Sequence, residues 1–467
     1  MGQPEAGRTF IQDLRPSQRN GAEITSMLSS SVRRPRRAIH LLAGVTACLL
    51  TIFLVTSASV AEEPQATPAG PPPAAATPPA APAAVPAAPA EMPKIKLPIV
   101  YLGKEYDEPP PLSYAEPIIR DKGIQGARLS VKEANQSGAF VGRAFDLEEA
   151  IVPANGDVVA KAKEILKHGD ALIVADLTAP DLLAVADLPE AKNSILLNVR
   201  VSDEALRQEQ CRSNIFHVIP DWAMRADAIA QYLIWKKWPR WFVLRGDSPA
   251  DKDFVAQVQR AAKRYGGKIV EERVYSFPPG ARNLDSGHQQ IQGQMPMATE
   301  GAPEHDVLWV ADTDEAFGDY LPFRTYTPRP VVGTQGMQAL AWDPSYTEYG
   351  AMSFQNAMRK LAKRPPTERD YAGWLGVRIL ADGVMRSGKN TAPEVKAFLL
   401  SDGFNLEGFK GLALNFRDWD HQMRQPILLG GGTRTVVSKS PQEGFLHETN
   451  LTDTLGFDKP ETKCKFR

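Results

Sequence analysis

GARLSVKEANQSGAFVGRAFDLEEAIV, residues 126–152, is the stretch on which the fold turns. With Ile124 just ahead of it, apolar Ala127, Val131 and Ala134 recur at three- and four-residue spacing, which predicts an amphipathic helix. The helix stops at Asn135-Gln136-Ser137-Gly138, where glycine is expected to take the left-handed closing conformation. Phe145 to Val152 then alternates like a half-exposed strand. Upstream, Leu97 to Gly103 is a short apolar run ending in glycine, a buried strand, joined to the helix by a polar, proline-rich loop from Lys104 to Lys122. The quoted stretch is thus the helix and second strand of a βαβ crossover.

The same unit repeats. Helix Val158 to His168, closed by Gly169, leads to strand Ala171 to Ala175, and helix Asp181 to Ala186 leads to strand Ile195 to Val199. After Pro220 a second series begins with helix Arg225 to Lys237, strand Arg240 to Leu244, helix Asp251 to Tyr265 closed by Gly266-Gly267, and strand Lys268 to Tyr275. Strands Val307 to Ala311 and Pro330 to Gly333 complete it. Strands alternating with helices of this length form largely parallel sheets. Two series predict an α/β protein of two doubly wound, Rossmann-like lobes.

Ahead of this lies a segment that is not fold. Arg33, Arg34, Arg36 and Arg37 precede an apolar run, Ala38 to Val55, and a small-residue site, Ser59-Val60-Ala61, the layout of a secretory signal peptide. Met27 is the expected start, which makes the residues before it an over-extended N-terminus. An uncleaved anchor is the rival reading, because the run approaches the ~20 residues that span a bilayer. Lipidation at Cys48 is the third, although the chain stays apolar beyond the cysteine. The Pro/Ala tract that follows cannot bury a core and is expected to be a semi-stiff tether or a plain spacer. The expected division is 1–61 leader, 62–93 linker, 94–218 first lobe, 219–340 second lobe, 341–409 return to the first, 410–446 strands of the second, and 447–467 an extended tail.

The 54 lysines and arginines balance 55 acidic residues, which gives no electrostatic case for a nucleic-acid partner. Behind the leader only Cys211 and Cys464 remain, an even pair in a protein expected in an oxidising compartment. A disulfide between them is expected, with two unpaired thiols as the alternative. No Gly-x-Ser-x-Gly elbow, His-Glu-x-x-His pair, phosphate-binding loop or Cys-x-x-Cys occurs, so no enzyme, cofactor or metal is expected. Histidines such as His217, His305 and His421 lack ligand spacing and are expected at the surface or at helix ends. Gly430-Gly431-Gly432 reads as a hairpin turn. Trp235, Trp238 and Trp241 read as core or interlobe packing.

Several segments together carry a family resemblance: Gly126-Ala127-Arg128-Leu129 with Glu133-Ala134-Asn135, Gly138 to Arg143, Phe216 to Pro220, Tyr265 to Val270, and Pro366 to Trp374. On these the chain, from Lys94 to Gly444, resembles the type I periplasmic solute-binding proteins of ABC transporters, in particular the branched-chain amino-acid group. Cys211-Arg212-Ser213-Asn214 and the cysteine near the C-terminus are similar to the subgroup found with pyrroloquinoline-quinone-dependent (PQQ-dependent) alcohol oxidation systems. The resemblance implies a periplasmic protein that captures a small polar solute between its lobes and docks on an inner-membrane ABC permease, most often as a monomer. A ligand sensor or regulatory module on the same fold is the alternative.

In open α/β sheets ligands lie beyond the carboxyl ends of the strands. The candidate ligand residues are therefore Asp176, Thr178, Arg200, Asp247, Ser248, Asp312 and Asp314. Thr178 and Asp247 also read as helix caps. Arg200 can hold a carboxylate by a two-pronged hydrogen bond or lie on the surface. Asp312 to Glu315 is acidic enough for a ligand amine, and for Ca²⁺ it lacks the glycine and distal glutamate of a calcium loop. Leu177-Thr178-Ala179-Pro180 stands where the amino-acid binders it resembles carry a serine-rich run, so leucine is not expected as the ligand.

Overall fold

Strand β1 (Ile95–Lys104), helix α1 (Ile124–Gly138), β2 (Arg143–Val152), α2 (Val158–Leu166), β3 (Leu172–Asp176), α3 (Ala179–Ala186), β4 (Ile195–Asn198) and β5 (Ile215–His217) build the first lobe. The computed structural model describes residues 95–108, 111, 117–277, 284–431 and 436–466, all within the unit formed by residues 87–467. The leader with Cys48, the Pro/Ala tract and Gly432 lie outside the described residues. The first sheet runs β2-β1-β3-β4-β5 with every pair parallel. Successive side chains on a strand point to opposite faces, so each strand feeds two cores. Ile99, Tyr101, Val174, Leu197 and Phe216 face one, and Val100, Leu102, Ile173, Leu196 and Ile215 face the other, where Ala162, Ile165, Leu182 and Val185 of α2 and α3 pack.

The second lobe follows with α4 (Trp222–Trp235), β6 (Arg240–Arg245), α5 (Pro249–Tyr265), β7 (Lys268–Val274), α6 (Asp285–Thr299), β8 (Val307–Ala311) and β9 (Val331–Gly333). Its sheet, β7-β6-β8-β9, is again parallel. Then come β10 (Gln338–Leu340), α7 (Ala351–Ala362), α8 (Glu368–Ser387), α9 (Ala392–Leu399), β11 (Leu406–Glu407), β12 (Ala413–Phe416), β13 (Met423–Arg424), β14 (Ile427–Gly430) and β15 (Val436–Ser440). The last two pair antiparallel, as the glycine-rich turn predicts, and β14 also pairs β10. Leu414, Phe416 and Met423, in the segment expected among the second lobe's strands, pack in the core of the first.

Helix α8 returns the chain to the first lobe, and glycine lets it come close. A side chain at Gly126 of α1 would overlap the Asp370 carbonyl oxygen, and one at Gly373 of α8 would press on the Gly123 carbonyl oxygen. The obstacle in each case is backbone, which cannot swing aside. Gly126→Ala is therefore expected to cost about 1–3 kcal/mol through overpacking, although alanine is the better helix former. A urea midpoint equal to or above that of the unsubstituted protein would show that the helices can separate at no cost.

Several expectations are corrected. Gly138 is right-handed at φ −62°, because the chain continues through a 3₁₀ turn, Ala139–Val141, and the left-handed residue is Gly142 at φ 66°. Gly138 is needed for space, since a side chain there would meet the Arg143 carbonyl oxygen. Phe216 and His217, in one of the segments that carry the family resemblance and not read as a strand, form the fifth strand. Trp241 is buried against Trp309 with ring centroids 5.3 Å apart, and Trp238 packs on the same core, but Trp235 is 49% exposed with the Lys236 ammonium 4.6 Å above its ring. His217, His305 and His421 are buried. His421 stacks on Phe216 at 4.3 Å and on Phe466 at 4.2 Å, and burial holds its pKa down to about 4. Cys211 and Cys464 form a disulfide, with Cα atoms 5.6 Å apart across 253 residues of sequence. Among the described residues no helix is long and apolar enough to cross a membrane.

Candidate functional site

The carboxyl ends of both parallel sheets open on one cavity of about 500 Å³. The first lobe supplies Arg200, Val201, Ser202 and Asp203 beyond β4. The second supplies Trp222 and Arg225 of α4, Asp312, Thr313 and Glu315 beyond β8, and Thr334 and Gln335 beyond β9. Thr367, Glu368 and Arg369 at the start of α8 close it. A neighbouring cavity of about 740 Å³ lies on the first-lobe side, lined by residues that include Tyr101, Tyr106, Glu108 and Asp176. Lys122, Arg200, Glu315 and Arg369 border both.

The start of α8 is built by its own sequence. Thr367 accepts from the Asp370 amide at 3.2 Å and Asp370 accepts from the Thr367 amide at 2.8 Å, a capping box that sets the first turn. Asp370 also accepts from the Gly123 amide at 2.9 Å and pairs with Arg364, which fixes α8 against the entry to α1. Arg369 is thereby held at the cavity wall.

Charge on the first-lobe wall is concentrated around one carboxylate. Glu108 meets Lys122 at 2.6 Å, Arg369 at 2.6 Å and Arg200 at 3.4 Å. Burial opposes its ionisation, but the charges of Arg369 and Lys122 outweigh burial and hold its pKa at about 2. Arg200 is also bound by Asp176 at 3.0 Å and lies 4.5 Å over the Tyr106 ring. Asp176 in turn accepts from the Tyr101 hydroxyl at 2.7 Å, and burial with that neighbouring carboxylate pushes the Tyr101 pKa up.

Of the sequence-selected residues, Asp176, Arg200 and Asp312 reach the cavity walls. Asp312 does so with its carboxylate turned inward, accepting from the amides of Ala316, Phe317 and Gly318 at 2.9, 2.8 and 2.6 Å. It ties a tight turn in which Glu315 takes φ 51°. Thr178, Asp247, Ser248 and Asp314 are not among the residues lining either cavity. Ser248 caps α5 in a capping box with Asp251, and Asp247 is 61% exposed and paired with Lys252 at 2.8 Å. Thr178 precedes α3, its amide donating to the Tyr106 hydroxyl oxygen at 3.0 Å. Sequence reasoning missed Glu108, Lys122, Arg225 and Arg369. Arg369 stands inside a Thr-x-x-Asp capping signal, which marks a helix start but not which cleft the helix start faces. Among the described residues, no three His, Cys, Asp or Glu side chains gather as a metal site requires.

A family model described as periplasmic binding protein matches residues 116–433, well over half of the chain. The chain belongs to that family. Among curated proteins none matches the sequence. Solved structures similar to this periplasmic binding protein include one from Burkholderia mallei, a periplasmic binding protein, at 17% identity and TM-score 0.56, covering 79% of this chain and 98% of the other. The leucine-, isoleucine-, valine-, threonine- and alanine-binding protein of Brucella ovis, in its closed conformation, is 15% identical at TM-score 0.58, covering 80% and 99%. An ABC transporter solute-binding protein of R. palustris in complex with benzoate is 13% identical at TM-score 0.53, covering 80% and 100%. At these identities the likeness is one of fold. The two-lobed α/β architecture of type I binding proteins is what they share with this periplasmic binding protein.

Proposed function

We propose that this protein captures a small polar organic solute in the cavity between its lobes and delivers it to an ABC importer in the inner membrane. The observation that carries the reading is the cavity itself, walled by the strand ends of both sheets. A ligand touching both lobes binds the closed arrangement better than the open one, and that difference in affinity is what signals occupancy to a partner. Family membership supports a periplasmic location, and the neighbours in complex with amino acids or benzoate support the solute's size class. The similarity around Cys211 to proteins of PQQ-dependent alcohol oxidation systems adds alcohols, aldehydes and that quinone to the candidate cargoes.

The test is thermal unfolding against amino acids, carboxylates, alcohols, aldehydes and the quinone. A true cargo at a hundred times its dissociation constant should stabilise the protein by about 2.7 kcal/mol. A flat response to every class would remove solute capture and leave a partner-binding regulator.

A further inference from the structure

The three cations on the first-lobe wall come from separate parts of the chain: Lys122 ahead of α1, Arg200 beyond β4, and Arg369 in the first turn of α8. They converge on a single carboxylate, that of Glu108, which follows β1 by four residues. Two residues earlier, Tyr106 does the same for the backbone. Its hydroxyl oxygen accepts from the Thr178 amide at 3.0 Å and its own proton goes to Asp181 at 2.6 Å. Its ring lies under the Arg200 guanidinium. Tyr106 and Glu108 therefore present a carboxylate, a hydroxyl and a ring to the groups at the strand ends of the first lobe. The cations also border the interlobe cavity, so a solute there reaches them from the other side.

We propose that Tyr106 and Glu108 are a tethered occupant of the first lobe's half of the cleft, and that the solute is an anion, typically a carboxylate, which takes Lys122, Arg200 and Arg369 from Glu108. The inference rests on the reading of the cleft as a solute site and names the class of solute. Three cations against the two carboxylates Glu108 and Asp176 leave one positive charge that a second anion can satisfy, and guanidinium groups bind carboxylates in two-pronged fashion. A neutral solute gains nothing by displacing Glu108. The tether lowers apparent affinity by the fraction of molecules in which it has let go.

The test compares the full chain with its Glu108→Gln and Tyr106→Phe variants, using inorganic sulfate, succinate and uncharged succinamide at matched ionic strength, with calorimetry and thermal unfolding as readouts. For Glu108→Gln, sulfate and succinate should bind about tenfold more tightly, the gain from releasing a state populated about one time in ten, while succinamide is unchanged. Tyr106→Phe should show a smaller gain of the same sign. Arg369→Gln added to Glu108→Gln should abolish the gain. Equal anion affinity in all forms, or an equal gain for succinamide, would overturn the inference. A neutral cargo found in the unsubstituted protein, with affinity indifferent to Glu108, would overturn it while leaving solute capture intact. An anion gain with no organic solute bound by any form would leave the tether standing and remove solute capture.

Discussion

Arg417→Ala is expected to cost the fold about 3–5 kcal/mol, the usual loss when one partner of a buried ionic network is removed. Arg417 is fully buried. Its guanidinium meets Asp453 at 2.9 Å and Asp420 at 3.7 Å, and donates to the Leu455 carbonyl oxygen at 2.6 Å. Asp453 keeps Arg424 at 2.9 Å, so the group stranded by the substitution is Asp420. Burial already pushes the Asp420 pKa up to about 6 against the pull of Arg417. Because its folded pKa lies above the unfolded value, protonation favours the folded state. Stability linked to Asp420 therefore rises as pH falls through about 6 toward 3.8, the reverse of an ordinary paired aspartate. Without Arg417 that recovery should begin at higher pH, so the variant's deficit is largest at neutral pH and narrows on acidification. Urea midpoints at two pH values check both the size and the sign. A loss below about 1 kcal/mol would mean that water reaches the network as it reaches a surface pair.

Cys211→Ser with Cys464→Ser, or reduction of the bridge, should cost about 2–4 kcal/mol. The bridge closes a loop of most of the folded chain and ties down a tail that crosses from one lobe to the other. Gly456 donates its amide to Asp227 at 2.8 Å and accepts from Arg264 at 2.7 Å, both on second-lobe helices. Tyr265 of α5 also donates to the Thr454 carbonyl oxygen. Further along, the Lys463 amide donates to Gln208 at 2.8 Å and Phe466 stacks on His421, both on the first lobe's side. With the bridge open, non-covalent contacts such as these and the Lys459–Asp418 and Lys463–Glu209 ion pairs hold the last residues, so cleavage by a protease specific for lysine should appear first near Lys459 and Lys463. An unchanged unfolding midpoint under reductant, with the tail still resistant, would show that the contacts suffice without the bridge.

The parallel sheets were legible because their signal is local. Val100 to Leu102, Leu172 to Ala175 and Trp241 to Leu244 are apolar on both faces, as strands covered by helices must be, and helices with strong turn chemistry such as α5 and α8 announced their own ends. Helix α6 carried no such signal. Its buried apolar side chains, among the described residues, are Ile291 and Met295, set among glutamines, and it contains Pro296. The turn at Gly138 was misplaced because a glycine required for clearance looks, in sequence, like a glycine required for φ.

The candidate site was legible in position but not in composition. Placing it beyond the strand ends found Asp176, Arg200 and Asp312. The same rule also selected Asp247 and Ser248, which serve their own helix. What the sequence by itself determined is the alternation of strands and helices in two series and hence the two-lobed plan, which follow from periodicity within a few residues, and the end of the sheets at which a cleft forms, which follows from that alternation. Only the tertiary structure decided that Lys122, Arg200 and Arg369 surround Glu108, and that the Asp312 carboxylate faces backbone amides rather than the cavity. Hydrogen bonds and ion pairs act over about 3–4 Å, and the packing of elements distant in the chain sets which groups come that close.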